Sequence, residues 1–147
     1  MTHSDTLTPW WIIPGRLAGM RKPQTHELDT LAKSRFQAVV SLLENEDNHQ
    51  LYHNWQLPYL WLPTEDGQTV SPQQLQQLEQ FIDRFDGAVA IHCNDGRKRT
   101  VSAIAAYLIR KEHDFEQALK LASKGQPPIE LDEPQLLSLL QIAKVVQ

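Results

Sequence analysis

Residues 88–100 read AVAIHCNDGRKRT, and the fold class turns on how this stretch is divided. Ala88 to His92 is a short apolar run with no polar alternation, as expected of a parallel strand buried on both faces. From Thr100 to Arg110 the apolar residues Val101, Ile104, Ala105, Leu108 and Ile109 recur at helical spacing. The segment between them is therefore a tight loop joining the end of a core strand to the start of a helix.

The flanking sequence repeats this alternation. Upstream, Ser71-Pro72 places a capping hydroxyl before a proline at the first helical position, and Leu75, Leu78, Phe81, Ile82 and Phe85 follow on one face until Gly87. Phe36 to Leu43 has the β-branched apolar character of a buried strand, Tyr59 to Leu62 is a second strand, and Trp10 to Ile13 is a third, ended by Pro14-Gly15. Thr25 is positioned to cap a helix over His26 to Lys33, and two further helices are expected over Phe115 to Ser123 and Asp132 to Val146. Glu44 to His49 reads as a loop, and residues 1 to 9 as a frayed terminus. The expectation is a single α/β domain over residues 1–147, with a mostly parallel central sheet flanked by helices.

Composition narrows the function. With 147 residues, 41% hydrophobic and 22% charged, the chain is ordinary globular material of one-domain size. A net charge of −4 argues against a general nucleic-acid binder, so any anion site must be local. No apolar run approaches the roughly 20 residues needed to span a bilayer, and no secretory leader is visible, which makes cytoplasmic the expected location. Cys93 is the only cysteine, which excludes an internal disulfide and a multi-thiolate metal site. It is either a buried structural thiol or a reactive one.

Its surroundings favour reactivity. The first turn of a helix presents unpaired backbone N–H groups and the positive end of the helix dipole, so a strand-to-helix loop binds anions. A cysteine ending the strand faces that field and the guanidinium of Arg99, which favours the thiolate. Gly96 permits the tight turn. The amides of Asn94, Asp95, Gly96, Arg97 and Lys98, with the planar Arg99 fork, can then surround one tetrahedral oxyanion.

His92-Cys93, five further residues and Arg99-Thr100 resemble the signature of the cysteine-dependent protein tyrosine and dual-specificity phosphatases. Ile13 to Pro23 resembles the opening segment of their small atypical members. Ala38 to Glu44 is similar to their strand before the variable loop, and Lys124 to Leu139 to their last helical section. The resemblance implies Cys93 as nucleophile, Arg99 as ligand of the phosphate and transition state, Thr100 as support for the departing thiolate, and His92 as a supporting residue. It also implies that Pro63 to Gly67 is the acid loop, with Asp66 rather than Glu65 as general acid and Gly67 supplying flexibility. The implied reaction is phosphomonoester hydrolysis through a phosphocysteine, with no metal and no cofactor. A phosphorylated protein is the leading substrate class, and a phosphorylated small molecule the other.

Three positions depart from the family pattern: Lys98 and Val101 replace common glycines, and Asp95 is acidic in a loop meant for an anion. Asp95 is expected to turn its carboxylate outward, with pairing to Arg97 or Lys98 as the alternative. Arg97-Lys98 resembles the basic loops of inositol pyrophosphate phosphatases and keeps an inositol polyphosphate or pyrophosphate substrate open. A rhodanese-like sulfurtransferase fits less well, because the seven residues from Cys93 to Arg99 match the phosphatase length. A non-catalytic phosphate-binding module fits poorly with Cys93, Arg99 and an acid candidate all present. His49 and His53 have metal-compatible spacing but lack a third ligand, and Trp10, Trp11, Trp55 and Trp61 read as core or rim residues. Arg16, Arg21 and Lys22 are expected on a solvated loop.

Overall fold

The computed structural model describes residues 7–95 and 97–146. Five strands form one sheet: β1 (Trp10–Ile13), β2 (Leu17–Met20), β3 (Phe36–Ser41), β4 (Tyr59–Trp61) and β5 (Ala88–His92). Their spatial order is β1-β2-β5-β3-β4, with β1 antiparallel to β2 and every other pairing parallel. The expected mostly parallel α/β sheet is present, and the strand AVAIH lies at its centre. Among the described residues the α-helices are α1 (Leu28–Lys33), α2 (His49–Asn54), α3 (Pro72–Arg84), α4 (Lys98–Arg110), α5 (Phe115–Ala122) and α6 (Glu133–Val146).

Alternation along β5 divides the core. Val89, Ile91 and Cys93 belong to the larger cluster, with Leu78 and Ile82 of α3, Ile104 and Leu108 of α4, Ala118 of α5 and Leu139 of α6. Ala88 and Ala90 belong to the opposite cluster, with Leu28 and Leu31 of α1 and Tyr52 of α2. The two-residue period of a strand thus sends neighbouring side chains to opposite layers, Cys93 toward α4 and His92 toward α2. Helix α4 is buried from Thr100 to Ile109 because it packs on the sheet and against α3, α5 and α6.

Several expectations are corrected. β2 carries no clear strand signal in the sequence, because Gly19 weakens it; the Trp10 ring lies where a Cβ at Gly19 would sit, so only glycine fits in that register. Helix α2 begins at His49, inside the end of the expected loop. Thr25 does not cap α1. It lies in a 3-10 turn over Thr25–Glu27 whose N-cap is Gln24, with the Gln24 N–H donating to Glu27 Oε1 at 2.8 Å. At the N-terminus residues 1–6 lie outside the described residues, and Leu7, expected to fray, donates its N–H to Glu27 Oε2 at 3.0 Å.

The basic cluster is not a solvated loop either. Arg16 donates to the carbonyls of Phe85 and Gly87 and so closes the C-terminal end of α3. Arg21 binds Glu27 in a two-toothed ion pair at 2.9 and 2.7 Å, holding the Glu27 carboxyl down at about 2 with help from the Gln24 and Leu7 amides. Lys22 pairs with Asp47 at 2.8 Å.

Candidate active site

Cys93 directly follows the central strand β5, with only 1% of its surface exposed. Thr100, fully buried in the first turn of α4, donates from Oγ1 to Cys93 Sγ at 3.0 Å. No side chain caps the N-terminus of α4 among the described residues, which leaves its first-turn amides available to an anion. Gly96 lies outside the described residues. Asn94 and Asp95 are exposed, Arg97, Lys98 and Arg99 half-buried, and the Asn94 carbonyl accepts the Lys22 N–H at 3.0 Å.

Asp95 does not turn outward. Its Oδ1 accepts the Arg97 backbone N–H at 3.1 Å and lies 3.6 Å from Cys93 Sγ. The physical reason is local, since an Asp side chain readily accepts the amide two residues ahead and closes an Asx turn. Nor does Lys98 add free charge to the loop: its Nζ pairs with Asp132 Oδ1 at 3.2 Å.

His92 is wholly buried on the opposite face of the sheet. Its Nδ1 lies 3.0 Å from the Cys93 carbonyl and its Nε2 lies 2.7 Å from the Tyr52 hydroxyl. A carbonyl only accepts, so Nδ1 carries the proton and the neutral ring accepts the Tyr52 O–H at Nε2. Burial drives the His92 pKa down to about 4, outweighing the carbonyl contact that raises it. Asn48 extends the chain, donating from Nδ2 to the Tyr52 hydroxyl at 3.3 Å and to the Pro23 carbonyl at 2.8 Å. Burial pushes the Tyr52 hydroxyl well above its ordinary value, so it remains a proton donor. Neither Tyr52 nor Asn48 is visible as a site residue in the sequence, because the short helix α2 that carries Tyr52 and follows Asn48 is held by these tertiary contacts.

The segment carrying Glu65 and Asp66 is a fixed turn. Gln68 N–H donates to the Glu65 carbonyl at 3.0 Å, and Gly67 sits at φ +85°, the left-handed conformation required at the third position of a type II turn. Both carboxylates are exposed. The backbone on either side is tied down: Arg99 Nη1 donates to the Thr64 carbonyl at 3.0 Å, Gln74 Nε2 to the Pro63 carbonyl at 2.9 Å, and Gln135 Nε2 to the Gln68 carbonyl at 3.0 Å. Ser102 Oγ adds a bond to Thr69 Oγ1 at 2.8 Å. Gln135 escapes a functional reading of the sequence, although Asp132 followed three residues later by glutamine is a legible helix-start pattern. His49, one of the two spaced histidines, packs instead against the Tyr59 and Trp61 rings. Among the described residues no cluster of three or more His, Cys, Asp or Glu is placed to hold a metal ion. No helix among them is long and apolar enough to cross a membrane.

A family model described as polymorphic toxin system, DSP-PTPase phosphatase, matches residues 15–113, from the β1–β2 turn past the end of α4. Among solved structures, Tk-PTP in its active form is 26% identical, with 92% of this chain and 96% of that chain covered and a TM-score of 0.83. PTPMT1 in complex with PI(5)P is 20% identical over 88% of this chain and 91% of that one, with a TM-score of 0.78. Human DUSP28 is 18% identical over 94% of each, with a TM-score of 0.75. The last two similarities bear on the fold.

Proposed function

Because this chain belongs to the DSP-PTPase phosphatase family, we propose that it hydrolyses phosphomonoesters in two steps through a phosphocysteine on Cys93. The observation that carries this reading is the 3.0 Å bond from Thr100 to Cys93 Sγ, with Arg99 on the same helical turn. In the first step the Cys93 thiolate attacks phosphorus, the bond from phosphorus to the leaving oxygen breaks, and Asp66 gives that oxygen its proton. In the second, water attacks phosphorus, Asp66 takes the water's proton, and the sulfur departs as a thiolate that accepts the Thr100 hydroxyl. Arg99 uses one of its five N–H donors on Thr64, leaving the others for the equatorial oxygens beside the amides of the loop. His92 acts as a positioning residue: Nδ1–H holds the Cys93 carbonyl while Tyr52 fixes the ring.

Substrates presenting a single phosphate, phosphotyrosine proteins foremost, suit the charge around the loop. Lys98, Lys22 and Arg21 are each matched by a carboxylate, from Asp132, Asp47 and Glu27. An inositol polyphosphate would have to separate these pairs to gain from the cations, and a phosphoinositide is the ligand seen with PTPMT1. The test is phosphate release, with chelator present, from phosphotyrosine, phosphoserine and phosphothreonine peptides beside PI(5)P and an inositol polyphosphate. Phosphotyrosine peptides as the best substrates are the expected outcome. Preference for the polyphosphate would overturn the substrate assignment, and no release from any of them by wild type the reaction itself.

A further inference from the structure

We infer that Gln135, assisted by Asp132, is a positioning residue that holds the acid turn of Glu65 to Gln68 in register with the phosphate loop. The inference rests on Asp66 being the general acid. Both residues lie beyond the stretch that the family model matches, on the N-terminal end of α6.

Gln135 is completely buried, and both ends of its amide are used. Oε1 accepts the Asp132 N–H at 2.9 Å, fixing the start of α6, and Nε2 donates to the Gln68 carbonyl at 3.0 Å. Asp132 reaches the two functional segments from the same point. Its Oδ1 takes Lys98 Nζ at 3.2 Å, in the first turn of α4, and its Oδ2 lies 3.5 Å from the position of a Cβ at Gly67. One helix start thus touches the last residue of the acid turn, its glycine and the first residue of the phosphate-loop helix. Asp66 itself is exposed, so its location depends on the backbone that carries it. Burying a side-chain amide is worthwhile only if both its donor and acceptor are satisfied. The Gln68 carbonyl is the only partner shown for Nε2 among the described residues, so this bond is what a glutamine supplies here that an apolar residue would not. A general acid misplaced by an ångström loses much of its effect.

Two substitutions separate the donor from the fold. Gln135→Glu keeps an acceptor for the Asp132 N–H and removes the donor to Gln68, whereas Gln135→Met removes both with little change of volume. Each is compared with wild type on phenyl phosphate, whose leaving oxygen needs a proton, and on an aryl phosphate whose leaving group departs unprotonated. Thermal unfolding is followed in parallel. Loss of one positioning hydrogen bond should slow phenyl phosphate roughly 5- to 10-fold and leave the activated ester nearly unchanged. Added to Asp66→Asn, either substitution should cause no further loss on phenyl phosphate. Equal slowing of the two esters, no slowing in a folded variant, or losses that multiply with Asp66→Asn would overturn the inference while leaving the acid assignment intact. If Asp66→Asn alone slowed both esters equally, the acid assignment would fall and the inference with it.

Discussion

Arg99 and Thr64 are joined by a 3.0 Å hydrogen bond from the guanidinium to a backbone carbonyl, which ties the arginine proposed to bind phosphate to the segment carrying Glu65 and Asp66. The two halves of the proposed chemistry, charge stabilisation and proton transfer, therefore share a mechanical link. Substitution of either side should be felt by the other.

The acid assignment gives the first expectation. Asp66→Asn should slow phenyl phosphate by roughly 100-fold or more, the ordinary contribution of a general acid, and an ester with an activated leaving group far less. Glu65→Gln should show no such selectivity. Selectivity that appears with Glu65→Gln and not with Asp66→Asn would transfer the role to the neighbour.

Thr100→Val tests the hydroxyl on the sulfur with nearly the same buried shape. A hydrogen bond to a charged partner contributes about 1.5–3 kcal/mol, so the step that expels the thiolate should slow roughly 10- to 100-fold. Rapid-quench kinetics should then show a burst of leaving group followed by slow turnover. An unchanged kcat without a burst would remove Thr100 from that step.

His92 couples stability to pH. Its folded pKa of about 4 lies below the ordinary 6.5, so between those values the unfolded chain binds the proton first. The stabilisation from keeping the ring neutral is complete above pH 6.5 and is lost as the pH falls toward 4, a total of about 3 kcal/mol at 1.36 kcal/mol per pKa unit. Urea unfolding of wild type and His92→Asn should show a stability gap that narrows through this window. A gap independent of pH would mean that His92 is not buried neutral in the folded state.

What the sequence disclosed and what it hid follow from the range of the interactions. AVAIH, the Ser71-Pro72 helix start and the helical spacing of α4 are local patterns, and each appears within about two residues of its expected place. The Cys93, Arg99 and Thr100 arrangement was equally legible because one loop carries it. Hidden were features decided across the fold. Gly19 passes as a strand residue only under the Trp10 ring, and α2 has six residues, too few to stand without Tyr52 packed beneath the sheet. Arg16, Arg21 and Lys22 looked solvated because their partners, the end of α3, Glu27 and Asp47, are supplied by the folded chain. Asp95 is the exception, a local Asx turn that could have been read from the loop itself.

The most direct test of the proposed chemistry is to quench wild type in acid within the first turnover of an aryl phosphate and examine the peptide carrying Cys93 by mass spectrometry. The expected result is one phosphoryl group on Cys93, accumulating in Thr100→Val and absent from Cys93→Ser, which should also be inactive. Turnover by wild type with Cys93 unmodified at every quench time, or substantial turnover by Cys93→Ser, would contradict it.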